Sequence, residues 1–229
     1  GIFVERGRKT TIKTRVISED KHQLRIDEEQ TNAITVEKDF LDLVFQHMQN
    51  VDVVILQDYN KGVLTPFIIE NVIKKANKLG ISSIIDPKKN NFLSYKNCTI
   101  FKPNLKEIKV GCNIEFDENE FDEINLATKN LQQKLNAKGV LLTLSEKGVC
   151  IQSLDGFDYT AAEKRNIVDV SGAGDTVIAT ATLCLAGNID FINLSKFANL
   201  AGGLVCEKVG VVPIQKGTLL ENAIAYFTN

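Results

Sequence analysis

The amino-acid sequence predicts an α/β protein with a mainly parallel central sheet flanked by helices, and three observations predict it. Between Glu37 and Leu144, segments with apolar residues at helical spacing alternate with short apolar runs, the pattern of strands covered by helices on both faces. Each run ends in a polar loop: Gln57-Asp58-Tyr59-Asn60-Lys61-Gly62, Asp86-Pro87-Lys88, Pro103-Asn104-Leu105-Lys106-Glu107 and Ser145-Glu146-Lys147-Gly148. Ahead of this region lies a stretch of different character, two segments of alternating residues between Thr10 and Glu29.

Taken in order, Thr10 to Ile17 and Gln23 to Glu29 read as antiparallel strands joined by the polar turn Ser18-Glu19-Asp20-Lys21. Each has one apolar and one charged face, so the pair is expected to be half covered. From Glu37 the period changes: Phe40, Leu41, Val44, Phe45 and Met48 form a helical stripe, and Val51 to Leu56 reads as a buried parallel strand. Thr65-Pro66 opens a helix, with a hydroxyl cap and proline in the first turn, that Gly80 closes. Strands follow at Ile81 to Ile85 and Cys98 to Phe101, then a helix from about Glu118 to Leu135 and a strand from Gly139 to Leu144. Val149 to Ser153 and Phe157 to Thr160 read as a hairpin around Asp155-Gly156, and helices are expected around Phe191 to Glu207 and Leu219 to Phe227.

Composition narrows the function. The chain has 229 residues, 44% hydrophobic and 24% charged, with a formal net charge of −2, ordinary values for a globular protein with a real core. That balance offers no case for nucleic acid or an anionic membrane. Neither a secretory signal nor an apolar run long enough to span a bilayer is present in the sequence. Cys98, Cys112, Cys150, Cys184 and Cys206 are odd in number and scattered, so they read as free, mostly buried thiols of a reducing cytoplasm. With only His22 and His47, histidine metal sites and serine-histidine hydrolysis are poorly supplied. A G-x-x-x-x-G-K-[ST] loop is lacking, and Gly172-x-Gly174 is followed by Val177 where a dinucleotide fingerprint needs glycine.

The chemistry concentrates in Gly172-Ala173-Gly174-Asp175, which runs into the apolar helix Val177 to Leu183. Small residues at a helix mouth present bare N–H groups to an anion, and the helix dipole favours it there. Asp175 beside such a site is explained either as a base in phosphoryl transfer to a hydroxyl or as a helix cap. The four polar loops fall at strand ends, where open α/β sheets bind ligands. Asn104 and Glu107, three apart at a helix start, suit either a hydrated Mg²⁺ accompanying ATP or a capping box. Lys61 and Lys88 suit a substrate phosphate or are solvated surface residues. Asp58 either holds sugar hydroxyls or closes a turn with Gly62, and Arg15 either faces a ligand or is a wet strand residue.

These residues together resemble the ribokinase-like (PfkB) carbohydrate kinases, whose signature is matched by Asp169-Val170-Ser171-Gly172-Ala173-Gly174-Asp175. Within the family the chain is most similar to the branch acting on heptose 7-phosphate. The segments that carry this are Thr10 to Val16, Asp58 to Thr65, Asp86-Pro87-Lys88, Lys102 to Glu107 and Asp175 to Ile178. The resemblance implies a ribokinase-like fold with the N-terminal strands (1–30) as a small β lid over an α/β kinase body (31–229). It implies an ATP-dependent sugar kinase that phosphorylates the anomeric C1 hydroxyl of heptose 7-phosphate, in precursor synthesis for ADP-heptose and the lipopolysaccharide core. Asp175 would be the base, and Gly172, Ala173 and Gly174 the anion hole. Asn104, Leu105, Lys106 and Glu107 would lie at ATP-Mg²⁺, with Glu107 reaching the metal through water. Ser145, Glu146 and Gly148 would run along the nucleotide, with Asn199 near adenine and ribose. Asp58, Lys61, Lys88 and Arg15 would meet the sugar phosphate. A monovalent cation and a homodimer formed through the lid strands also follow from the resemblance.

The family's Gly- and Asn-rich front segment and the nucleotidyltransferase domain often fused behind the kinase are expected to lie outside this sequence. Two other readings remain at this point: a kinase for ribose or a fructose phosphate, and a non-catalytic remnant that binds nucleotide or sugar.

Overall fold

The computed structural model describes residues 1–18 and 21–228, leaving aside the side chains of Ile17, Lys21 and His22. Strands β1 (Ile12–Ser18) and β2 (Lys21–Glu28) pair antiparallel in a two-stranded sheet of their own. The centre of the expected turn, Glu19-Asp20, lies outside the described residues. Register sets Val16 opposite Leu24, Thr14 opposite Ile26 and Arg15 opposite Arg25, so apolar and basic residues point to opposite faces. The expectation of a half-covered pair is corrected. Ile12, Val16, Leu24 and Ile26 are between 43% and 57% exposed, because a two-stranded ribbon has no second layer of its own.

In the body, α1 (Glu37–His47) leads to β3 (Val53–Gln57), α2 (Pro66–Leu79) to β4 (Ser82–Asp86), and β5 (Ile100–Phe101) to α3 (Leu105–Cys112). Helix α4 (Phe121–Leu135) precedes β6 (Gly139–Thr143) and the hairpin of β7 (Gly148–Ser153) and β8 (Gly156–Ala161). Three helices follow: α5 (Ala173–Ala186), α6 (Phe191–Val205) and α7 (Lys216–Thr228). The sheet order is β3-β4-β5-β6-β7-β8, parallel from β3 to β6 and antiparallel from β6 to β8.

Alternation along the strands divides the core between the two faces of the sheet. Ile84, Ile100 and Leu141 pack with Val177, Ala181, Leu194 and Ala198 of α5 and α6. Their neighbours Ile85, Phe101, Val140 and Leu142 pack instead with Leu41, Ile69, Ile108 and Leu131 of α1 to α4. Helices α5 and α6 pack closely because Gly202 has no side chain; a Cβ there would stand 2.7 Å from Val177 Cγ2.

The expectation of a buried strand at Val51 to Leu56 is also corrected. Among the described residues β3 pairs with β4 alone, and Ile55 is 42% exposed. An edge strand has a neighbour on one side only, and Ile55 lines an open cleft beneath the N-terminal strands. The ends of α2 form as expected: Thr65 Oγ1 accepts from the Ile68 N–H at 3.3 Å, and Gly80 stops the helix at φ +73°. Among the described residues no helix is long and apolar enough to cross a membrane.

Candidate active site

Parallel strands deliver their carboxyl ends to one edge of the sheet, and the mouth of α5 arrives at the same edge. Gly172 precedes the helix at φ +82°, a left-handed conformation that glycine adopts at no steric cost. The loop before it is braced by Asp169, whose two carboxylate oxygens accept from the N–H groups of Ser171 and Gly210, each at 2.9 Å. A Cβ built on Gly174 would meet only Lys102 Nζ, at 4.0 Å, so the helix mouth is open. The expectation of three bare N–H groups is corrected at Ala173, whose N–H donates to Val170 O at 3.2 Å; among the described residues those of Gly172 and Gly174 stay open.

Asp175 is the third residue of this helix, exposed to solvent, and no side chain caps α5. The helix-cap reading of Asp175 is therefore corrected: its Oδ1 lies 3.4 Å from Gln57 Nε2, at the end of β3. Gln57 Nε2 also donates to Asp86 Oδ2 at the end of β4. Asp86 Oδ1 in turn pairs with Lys102 Nζ at 2.9 Å, the lysine side chain being only 4% exposed. Such a buried charge is tolerated because it is paired. Four residues from three strand ends and one helix thus form a continuous polar chain around the mouth of α5.

On the other side of Lys102 the capping box is complete. Asn104 Oδ1 accepts from the Glu107 N–H at 2.8 Å, and Glu107 Oε2 accepts from the Asn104 N–H at 3.0 Å. Lys88 Nζ takes the other Glu107 oxygen at 2.6 Å. Burial would lower the Lys88 ammonium, but Glu107, Asp86 and Asp58 outweigh it and hold the group above its ordinary range. Asn104, Leu105, Lys106, Ser145 and Glu146 line one cleft of about 650 Å³, together with Lys109 and Lys147. Gly148, with φ +104°, begins β7 behind it. Asn199 stands apart from these, its amide donating to Ala161 O at 2.9 Å and tying α6 to β8.

A second cleft, of about 590 Å³, opens between the N-terminal strands and the end of β3, lined by Thr10, Thr11, Lys13, Gln57, Asp58 and Lys61 among others. Asp58 is only 2% exposed and holds its own turn: Oδ1 accepts from the Asn60 N–H and Oδ2 from the Tyr95 hydroxyl, both at 2.7 Å. Burial and that carboxylate drive the Tyr95 hydroxyl far above its ordinary range. Lys61 Nζ is paired with Glu29, and its carbonyl accepts from Arg8 at 2.5 Å. Arg15 sits mid-strand opposite Arg25, while Lys13, not Arg15, lines the cleft.

The donor set bears on Mg²⁺ directly. Among the described residues no cluster of three or more acidic, histidine or cysteine side chains could cage a metal. Both Glu107 oxygens already have partners. This fits a cation carried in on a polyphosphate and approached through its waters, not a resident ion.

A family model described as pfkB family carbohydrate kinase matches residues 2–216. The chain belongs to that family. The Bifunctional protein HldE of Campylobacter jejuni (strain RM1221) is 34% identical to this pfkB chain over 212 residues, covering 93% of it and 45% of that protein. The chain therefore spans about half the length of the curated relatives it matches. The crystal structure of phosphofructokinase-2 from Escherichia coli in complex with potassium superposes on 90% of the chain, and 67% of that protein, with a TM-score of 0.76 at 18% identity. Arabidopsis thaliana ribokinase complexed with ribose and ATP covers 88% and 65%, with a TM-score of 0.68 at 20% identity. At such identities these likenesses establish the ribokinase-like fold of the pfkB chain.

Sequence reasoning assigned no role to Gln57, Lys102 or Lys13 in this pfkB site. The one available signal was position. Gln57 closes an apolar strand run, and Lys102 stands between the apolar residues of β5 and Pro103.

Proposed function

We propose that this pfkB-family chain is an ATP-dependent sugar kinase acting on heptose 7-phosphate at its anomeric hydroxyl. The single observation that carries the reading is the open mouth of α5, where the bare Gly174, followed directly by Asp175, stands beside the buried ammonium of Lys102. Asp175, with no cap to make, accepts the proton of the acceptor hydroxyl. The N–H groups of Gly172 and Gly174 receive the transferring phosphoryl group, that of Ala173 being held by Val170 O, and Lys102 adds positive charge where negative charge develops. Transfer of this kind rests on positioning and electrostatics.

ATP is assigned to the cleft of Asn104, Leu105, Lys106, Ser145 and Glu146, with Glu107 behind it. Bound Mg²⁺ would neutralise phosphate charge, with Glu107 reaching its waters. Residues 1–30 are read as a lid and residues 31–229 as the body, and the sugar lies in the cleft between them. Lys13 and Lys61, which both line that cleft, are the cations nearest an incoming 7-phosphate. The preference for heptose rests on the segments that resemble that branch, Asp58 to Thr65 and Lys102 to Glu107 among them. The exposed apolar face of β1 and β2 suits pairing with the same face of a second copy. The scattered, mostly buried thiols suit a cytoplasmic protein.

The test is turnover and thermal stabilisation of the full-length protein with Mg-ATP and a panel of heptose 7-phosphate, ribose and fructose 6-phosphate. Heptose 7-phosphate is expected to give the greatest shift and rate; equal or absent responses overturn the heptose reading. Asp175→Asn is expected to cut turnover by about 10²–10⁴-fold while ATP still binds. Near-normal turnover in that variant removes the base.

A further inference from the structure

We propose that Gln57 is a positioning residue for Asp175, a role that rests on Asp175 being the base. Asp175 stands on the exposed first turn of α5, where a short carboxylate would otherwise rotate between rotamers. An amide nitrogen carries two hydrogens, and the Gln57 amide meets a carboxylate in each direction: Asp86 Oδ2, and Asp175 Oδ1 at 3.4 Å. Asp86 cannot yield, because Lys102 holds its other oxygen at 2.9 Å in the interior. The amide therefore transmits the position of a buried ion pair on β4 and β5 to a carboxylate on another element. With Oδ1 held, Oδ2 of Asp175 is left for the acceptor hydroxyl.

The residue type matters as much as the contact. The charged groups tied to the amide are Asp175 from α5, Asp86 from β4 and, through Asp86, Lys102 after β5, while Asp58, Lys13 and Lys61 share the cleft that Gln57 lines. A carboxylate at position 57 would face two others, and an ammonium would form an ion pair with the base and suppress it. A neutral double donor bridges the two acids without changing the charge of either. The same Lys102 that anchors this chain also stands 4.0 Å from the Cβ position of Gly174. One ion pair thus sets the relative placement of the base and the anion hole.

The experiment compares Gln57→Met, Gln57→Glu, Asp175→Asn and the Gln57→Met/Asp175→Asn double variant of the full-length protein, measuring kcat, KM and the pH profile of kcat. Methionine keeps the length and removes the donors. It is expected to lower kcat about 10–100-fold, the scale of a misplaced catalytic group, with KM for ATP changed less than twofold. In the double variant the methionine should cost nothing beyond Asp175→Asn, since the group it positions is already disabled. Gln57→Glu should move the acidic limb of the pH profile upward, because a second carboxylate beside Asp175 disfavours its ionised form. A Gln57→Met enzyme with kcat within twofold of wild type, beside a collapsed Asp175→Asn, overturns the positioning role and leaves the base standing. Near-normal turnover in Asp175→Asn overturns both. If Gln57→Met does not fold, the Gln57→Glu profile decides, and an unmoved acidic limb overturns the inference.

Discussion

Gly174 and Lys102 face each other across the mouth of α5, with Lys102 Nζ 4.0 Å from the position a Gly174 Cβ would take and, among the described residues, no closer contact from outside the helix's own turn. A methyl group fits there without a clash. Gly174→Ala should therefore separate stability from activity. Alanine in a helix is favoured over glycine by about 0.5–1 kcal/mol, so the melting temperature is expected to rise. Turnover should fall tenfold or more if the proposed anion hole is the site of transfer, because the methyl group then competes with the transferring group for that space. A variant that is both stabilised and fully active would remove the anion hole from this place.

Lys102 and Asp86 make a second prediction. Lys102→Met leaves a carboxylate buried without its ion partner, at a cost of about 3–5 kcal/mol, visible in chemical denaturation. Adding Asp86→Leu should return most of that stability, since an apolar pair in place of a buried ion pair is often neutral or better. Turnover should stay low in both variants. Recovery of activity together with stability would make the pair structural only.

How much of this was legible in the sequence follows from where the information sits. Helix α2 could be read at both ends because Thr65-Pro66 and Gly80 are local signals. The edge position of β3 could not, because Val53-Val54-Ile55-Leu56 reads alike in a central or an edge strand. The uncovered apolar face of β1 and β2 was hidden for a related reason: alternation shows that a face is apolar, not what covers it. At the site, the capping box of Asn104 and Glu107 was visible as a spacing of three. The contact of Gln57 with Asp175 joins positions 118 apart and exists only through the sheet order. Lys61 and Lys88 could be recognised as cations, but their partners Glu29 and Glu107 lie 32 and 19 positions away and carry no local signature.

The open face of the N-terminal strands carries a prediction of its own. Val16 and Leu24 are cross-strand neighbours at 43% and 57% exposure, and such a patch on a sheet is an association surface. Replacing both by lysine sets like charges against each other wherever two copies meet on this face. Sedimentation or light scattering should then show a smaller species than the unmodified protein. An unchanged mass would mean that the face serves no self-association.

Tyr95 and Asp58 allow structure and catalysis to be told apart in the cleft proposed for the sugar. The tyrosine is fully buried, and its hydroxyl donates to Asp58 Oδ2 at 2.7 Å. Tyr95→Phe keeps the ring against Phe101 and removes only the donor, leaving one oxygen of a buried carboxylate without a partner. The expected cost is about 1–3 kcal/mol. If Asp58 serves to hold its turn, the loss should appear in stability while KM for the sugar changes little. Adding the sugar phosphate would then stabilise the variant and the parent equally. If the carboxylate instead holds sugar hydroxyls, its release should change KM for the sugar severalfold at the same cost in stability. The ratio of these two effects, measured in one protein preparation, decides whether Asp58 shapes the cleft or touches what enters it.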